Sequence, residues 1–214
     1  MLPELYGEID PDYCPSWTRL EFPEGIQPKT YLEFANTDVK STDEPRCFVN
    51  ALSNAKRALH FQIEILTDAF GISYTVKNTK YISFPERLKF CSKCGIVSPR
   101  ILAKLNKVRN EVEHDYYLPS RDEVEDYIDI VELFLAATDR FFYQFPNDVE
   151  FLCKSIDESA PDISYLDFLP SEGKIRLRME LIEIDGIHEW ESVDIESPSE
   201  EFFKWLRYIV EKSK

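Results

Sequence analysis

Three histidines occur in the 214 residues, His60, His114 and His188, and one of them stands near an arginine at a spacing that could do chemistry. His114 ends the run Leu105-Asn106-Lys107-Val108-Arg109-Asn110-Glu111-Val112-Glu113-His114-Asp115-Tyr116. Asn110 and His114 are four residues apart and share one face of a helix. Arg109 lies about 140° round an ideal helix from His114, at roughly 100° per residue. The two could converge on one phosphate if the helix frays near His114, or if a second copy supplies half of the site. Imidazole moves protons near neutral pH, and guanidinium is a permanent planar cation suited to phosphate oxygens. A different reading of the same residues is a salt-bridge network of Arg109 and His114 with Glu111, Glu113 or Asp115. Those acids repel phosphate unless they point away or raise the histidine's pKa. His60 follows Lys56 and Arg57 in a strongly helical run, and His188 falls in a presumed hairpin; both are read as structural or solvent-exposed.

Five cysteines are too few and too unevenly spaced for a disulfide framework. Cys91-Ser92-Lys93-Cys94 has the spacing of half a zinc site or a redox pair. Cys14, Cys47 and Cys153 form no matching second pair and no βαβ context surrounds the motif, so two packed thiols are expected. No metal and no cofactor is expected. A phosphate-cradling glycine loop, an HExxH helix and a Gly-x-Ser-x-Gly elbow are all missing from the sequence, which leaves nucleotide hydrolysis, zinc proteolysis and α/β-hydrolase chemistry without support.

The formal net charge of −15 argues against nucleic acid as a partner until its distribution is considered. Between Val76 and Arg109 nine bases (Lys77, Lys80, Arg87, Lys89, Lys93, Arg100, Lys104, Lys107 and Arg109) face one acid, Glu86, so this segment carries +8 and the rest −23. An acidic body with one basic middle is compatible with a local phosphate-binding surface or with solvated helix faces. Hydrophobic residues at 43% are enough for a buried core. No stretch approaches the roughly 18 apolar residues of a membrane span, and Met1-Leu2-Pro3-Glu4-Leu5 does not resemble a secretory signal. A cytoplasmic protein with no membrane partner is expected.

Three parts are expected to position these residues. Residues 1–40, with five prolines and strand-like runs at Trp17–Phe22 and Thr30–Phe34, read as an irregular arm packed on the core through its aromatics. Residues 41–146 read as a helical bundle. Ser41-Thr42-Asp43-Glu44 has capping-box spacing ahead of Phe48, Leu52, Ala55, Leu59, Ile63, Leu66 and Phe70, with Gly71 as terminator. Ser83-Phe84-Pro85-Glu86 starts a shorter helix ending at Gly95. Ser98-Pro99 starts a third, with the stripe Leu102, Leu105, Val108 and Val112. Ser120-Arg121-Asp122-Glu123 caps a fourth, carrying Val124, Ile128, Val131, Leu135, Thr138 and Phe142 and expected to lie antiparallel to the third. Residues 147–214 read as an acidic connector and a ββα unit. Its strands include Ile175, Leu177, Met179 and Leu181, then Ile187 to Ile195 after the Asp185-Gly186 turn. Ser197-Pro198-Ser199-Glu200 opens a last helix with Phe202, Phe203, Leu206, Ile209 and Val210. A lone hairpin is marginal in water, so this unit must pack on the bundle or the arm.

Arg109-Asn110-x-x-x-His114 resembles the Arg-x4–6-His motif of the HEPN superfamily, which lies near the end of a helix in a four-helix bundle and commonly has Asn, Asp or His after the arginine. Pro99 to Asp139 is similar to the third and fourth helices of such domains, and Asn50 to His60 to their first. The resemblance covers about residues 41–145 and neither the arm nor the tail. It implies a mainly α fold, a HEPN-like four-helix bundle with a Pro-rich N-terminal arm and a C-terminal ββα appendage. It also implies a metal-independent endoribonuclease of toxin or phage-defence type, whose motif helices pair across a homodimer so that two Arg–His sets line one cleft. RNA supplies its own nucleophile, the 2′-hydroxyl, leaving a 2′,3′-cyclic phosphate and a 5′-hydroxyl. Arg109 would hold the phosphorane oxygens, His114 move the proton, and Asn110 bond the phosphate or orient His114, with Arg100, Lys104 and Lys107 binding the RNA. Arg109-x4-His114-x-Tyr116 also resembles the extended motif of HEPN toxins silenced when a nucleotidyltransferase-like antitoxin adenylylates the tyrosine; packing is the other role for Tyr116. The alternative function is a catalytically inactive HEPN-type scaffold or binding module for a protein or nucleic-acid partner.

Overall fold

The computed structural model describes residues 3, 17–41, 44–76, 81–97, 118–150, 163–184 and 187–212. They are mainly helical, with a small antiparallel sheet. The helices are α1 (Pro28–Ser41), α2 (Pro45–Ala69), α3 (Phe84–Lys93), α4 (Arg121–Tyr143) and α5 (Glu200–Lys212). The strands are β1 (Trp17–Thr18), β2 (Phe145–Pro146), β3 (Asp148–Glu150), β4 (Tyr165–Leu169), β5 (Lys174–Ile184) and β6 (Ile187–Glu196). Among the described residues no helix is long and apolar enough to cross a membrane.

The first helix corrects the reading of residues 1–40 as an irregular arm. Pro28 begins α1, where its fixed φ suits a helix start and its missing N–H costs nothing. Leu32, Ala35 and Val39 then fall on one buried face, so the local alternation of Thr30–Phe34 yields to packing against α2. Upstream of α1 the arm behaves as expected. Phe22 stacks on Phe142 at 4.5 Å, Leu20 N donates to Phe142 O, and β1 pairs antiparallel with β2.

Ser41 does not cap α2. It is the last residue of α1, and its hydroxyl donates to Asp38 O at 2.9 Å and to Cys47 Sγ at 3.4 Å. A helix capped at Ser41 would need an N–H from its fourth residue, and that residue is Pro45, which has none. The chain instead turns at Glu44 and restarts with Pro45 as the first residue of α2. The other caps form as the spacing predicts. Ser83 N donates to Glu86 Oε2 and Ser120 N to Glu123 Oε2, both at 2.8 Å, while Ser199 Oγ accepts from Phe202 N. Gly71 and Gly95, at φ +79° and +72°, end α2 and α3 in the left-handed region that glycine adopts freely.

The expected apolar stripes of α2 and α4 are all buried. Asn54 Nδ2 donates to Asp38 Oδ2, next to the turn at which α1 reverses into α2, so these two helices are antiparallel. Along α2 and α4 the partners advance together. Arg121 lies over the Phe48 ring at the start, buried Gln62 donates to Thr138 Oγ1 at 3.1 Å in the last third of both helices, and Phe70 meets Phe141 at 5.4 Å at the end. The two helices therefore run parallel.

The tail is larger than the expected ββα unit. A four-stranded antiparallel sheet in the order β3-β4-β5-β6 precedes α5. The hairpin of β5 and β6 is the expected one, with Ile184 opposite Ile187; its turn, Asp185-Gly186, lies outside the described residues. β4 and β3 are short, and only pairing against β5 and β4 makes strands of segments whose lengths of five and three residues leave no clear period. Leu166, Phe168, Ile175, Leu177 and Met179 point into one core with the helices. On the opposite face Arg176 and Lys174 bond Asp194 at 2.7 and 2.8 Å, and Arg178 Nη2 donates to Asp167 Oδ1 at 3.0 Å.

Two outcomes follow. Gly173 has φ +65° and an added Cβ would fall 2.4 Å from Tyr74 Cγ, so Gly173→Ala is expected to cost roughly 1–3 kcal/mol, read as a lower urea midpoint; an unchanged midpoint contradicts the packing. The Asp194 carboxyl is held well below the usual carboxylate range by hydrogen bonds from Arg176 and then Lys174. Because the folded value is the lower one, its contribution is complete above the unfolded value of about 3.9 and fades as pH falls below it. Asp194→Asn should therefore flatten the acid limb of a stability–pH curve without changing its neutral-to-alkaline shape.

Candidate functional site

Residues 98–117, which carry Arg100, Lys104, Lys107, Arg109, Asn110, His114 and Tyr116, lie outside the described residues, as do the expected third helix and its antiparallel packing. The described elements on either side of it, α3 and α4, are anchored as follows. At the end of α3, Arg207 Nε of α5 donates to Lys93 O at 2.7 Å, Lys93 Nζ sits over the Phe203 ring, and Phe90 packs edge-on to Phe203. At the start of α4, Ser120 and Glu123 close the reciprocal capping box.

Among the described residues, the residue types that handle phosphate gather elsewhere, on the polar face of α2. Ser53, Lys56, Arg57, His60 and Glu64 recur at helical spacing, so they form one stripe. With Tyr31 of α1, Ile26 just before it and Phe61, they line an open cleft of about 620 Å³. Each wall has an identifiable support. Leu32, Ala35 and Val39 seat α1 on α2, which places Tyr31 over the α2 stripe. The His60 ring is stacked on Phe84 at 4.1 Å and 18° between planes, and Phe84, the first residue of α3, is fixed behind the Ser83 cap. Arg57 Nη1 meets a neutral group, Asn54 Oδ1, at 3.3 Å. Glu64, the one acid among the described residues lining the cleft, faces Arg87, whose guanidinium is 3.5 Å from Glu64 and 2.6 Å from Asp68.

Sequence reasoning passed over this stripe. The signal was present, since Lys56, Arg57 and His60 lie within one turn and a half, but nothing showed the opposite wall, because α1 was read as part of an arm. A helix face becomes a cleft only when a second helix stands beside it.

Cys91 and Cys94 are fully buried. Burial pushes the Cys91 thiol up to about 12 and the Cys94 thiol up as well, outweighing the nearby Arg87 and Arg207. Among the described residues no group of three His, Cys, Asp or Glu side chains could hold a metal ion. Thiolate, not thiol, is the ligand and nucleophile, so the pair serves packing. Iodoacetamide at pH 8 is expected to leave both cysteines unmodified in the folded protein and to label both in guanidinium, read by peptide mass spectrometry; equal labelling of the folded protein contradicts this.

No family model, no curated protein and no solved structure matches the chain.

Proposed function

We propose that the chain is a metal-independent endoribonuclease of HEPN type, cytoplasmic and homodimeric, with a toxin or phage-defence role. The observation that carries the reading is the direction of the helices. In an up-down-up-down bundle the second and fourth helices are parallel, as α2 and α4 are. Between them the chain carries the short α3 and then the stripe Leu102, Leu105, Val108 and Val112, which would give a helix of opposite direction its apolar face. The bundle of this proposal begins at α1, not at residue 41. The Arg109–His114 motif would end its third helix, just ahead of the Ser120 cap.

In this reading His114 takes the proton of the 2′-hydroxyl as that oxygen attacks the adjacent phosphorus. The Arg109 guanidinium stabilises the charge that develops on the phosphorane oxygens, and Asn110 bonds the phosphate or orients the imidazole. The attack closes the 2′,3′-cyclic phosphate as the bond to the 5′-oxygen breaks, and that oxygen leaves as a hydroxyl after receiving a proton. A second copy places another Arg–His pair on the same scissile linkage, which removes the difficulty of the wide angle between Arg109 and His114 on one helix. Arg100, Lys104 and Lys107 supply cations for the strand, and Tyr116 is the position at which an antitoxin of nucleotidyltransferase type would act.

His114→Ala and Arg109→Ala, each checked by circular dichroism and gel filtration, should lower RNA cleavage by about 10²-fold or more, with EDTA without effect on the wild type. Wild-type rates in folded, dimeric His114→Ala would end the reading.

A further inference from the structure

We propose that the free edge of β6 docks an extended segment of a partner protein in which Lys or Arg alternates with apolar residues, added to the sheet as a fifth, antiparallel strand. The edge shares no residue with the Arg109–His114 motif and stands whether or not that motif cuts RNA.

The first observation is the length of the edge. The sheet ends in β3 on one side and β6 on the other. β3 is three residues long, an ordinary way of denying an edge to other chains. β6 runs for ten, and among the described residues no strand lies on its far side. The register shows which backbone groups are left over. Ser197 N donates to Gly173 O at 2.9 Å, one step beyond the Lys174–Glu196 pair and directly across the ladder. Hydrogen-bonded and non-hydrogen-bonded pairs alternate in an antiparallel ladder, so Ile195, Val193 and Glu191 spend their N–H and C=O groups on β5. Those of Asp194, Ser192 and Trp190 turn outward, and every existing pairing in the sheet is antiparallel.

The second is charge. β6 carries four acids, Glu189, Glu191, Asp194 and Glu196, and no Lys or Arg. Asp194 is shared by Lys174 and Arg176. Among the described residues no cation is within ion-pair distance of Glu191 or Glu196, and Glu191 is exposed. A second copy would bring the same acids to the edge, whereas a strand with Lys or Arg is attracted to it.

The third is the pair of surfaces flanking the edge. Side chains alternate along a strand, so Trp190, Asp194 and Glu196 share the outer face of the sheet with Arg176, and Val193 and Ile195 share the core face. Trp190 is 46% exposed although its ring rests on Tyr165 at 5.6 Å, so the indole is oriented and still open. Indole is the best of the aromatic rings for a Lys or Arg cation. On the core face Val193 is half-buried against the core beside buried Ile195, and an apolar side chain of an added strand extends that core by one strand. The cations of the docked segment therefore lie on the outer face and its apolar residues on the inner one. Main-chain bonds give such a complex its affinity and the alternating side chains its specificity.

The probe is the labelled peptide Lys-Val-Lys-Val-Lys-Val-Lys, titrated into the full-length protein at low salt and followed by fluorescence anisotropy and amide hydrogen exchange. Binding is expected, with new protection of the Trp190, Ser192 and Asp194 amides. The same peptide with Glu for Lys should bind at least about tenfold more weakly. In an antiparallel pairing the Lys residues turn their N–H groups to β6 and the Val residues turn theirs to solvent. N-methylation of the Lys residues should therefore cost about tenfold, while N-methylation of the Val residues leaves binding in place. Ser192→Pro removes one outward donor at a position where an edge strand tolerates proline, and it and Trp190→Ala should each weaken the peptide about tenfold. The methylated peptides carry the same test if Ser192→Pro unfolds. No binding of the Lys-Val peptide, equal binding of its Glu counterpart, or a Lys-methylated peptide that binds no more weakly than the Val-methylated one overturns the proposal. Self-association of the protein that Ser192→Pro abolishes also overturns it, by giving the edge to a second copy.

Discussion

The aromatic contact around Phe70 is the constraint on which the rest of the architecture depends. Phe70 follows the last residue of α2, is fully buried, and touches Phe141 of α4, Phe145 of β2 and Phe168 of β4 with ring centroids 5.4, 4.9 and 5.9 Å apart. Phe168 in turn meets Phe202 of α5 at 6.5 Å. One side chain thus joins both long helices to the sheet, and through Phe168 to the last helix. Burying a side chain of this size stabilises by roughly 1.5–3 kcal/mol, and edge-to-face aromatic pairs add about 0.5–1.5 kcal/mol. The contact explains how a hairpin too small to stand alone becomes ordered: its apolar face completes a core the bundle has already begun. The close approach of Gly71 to Pro170 O and of Gly173 to Tyr74 comes from the same junction.

Around that core the charges segregate by function rather than by count. On the outer face of the sheet Lys174, Arg176 and Arg178 each lie against a carboxylate, and such exposed pairs are worth little individually. Arg140 plays a structural part as well, donating to Val210 O near the end of α5. Arg87, only 11% exposed, fastens α3 to α2 through Thr67 and Asp68. The α2 stripe of Lys56, Arg57 and His60 lines the cleft beside α1. Local arrangement, more than net charge, decides interactions whose range in physiological salt is about 8 Å.

Much of the framework was legible without a structure, for reasons that can be named. The helices α2, α4 and α5 announce themselves through apolar periods, and α3, α4 and α5 through Ser-x-x-Glu or Ser-x-x-Phe starts, signals that are local in the chain. Where the reading failed, the deciding term was not local. Thr30–Phe34 alternates like a strand, but α1 forms because Leu32, Ala35 and Val39 have a face of α2 to cover. Ser41 has a capping spacing, but Pro45 lacks the N–H that a helix starting there requires. Tyr165–Leu169 is a strand only because β5 lies beside it.

The sequence by itself determined which segments could be helices, the hairpin of β5 and β6, the burial of the two Cys91–Cys94 thiols, and the presence of an arginine, an asparagine and a histidine within six residues. These are properties of residue type and period, which the chain carries wherever it goes. Only the tertiary structure decided that α2 and α4 run parallel, that the tail is a four-stranded sheet sharing the bundle's core, and that Lys56, Arg57 and His60 look into a cleft. Direction, pairing partner and concavity depend on which distant element lies alongside, and that is settled by burying apolar faces across the whole molecule rather than by any short stretch of it.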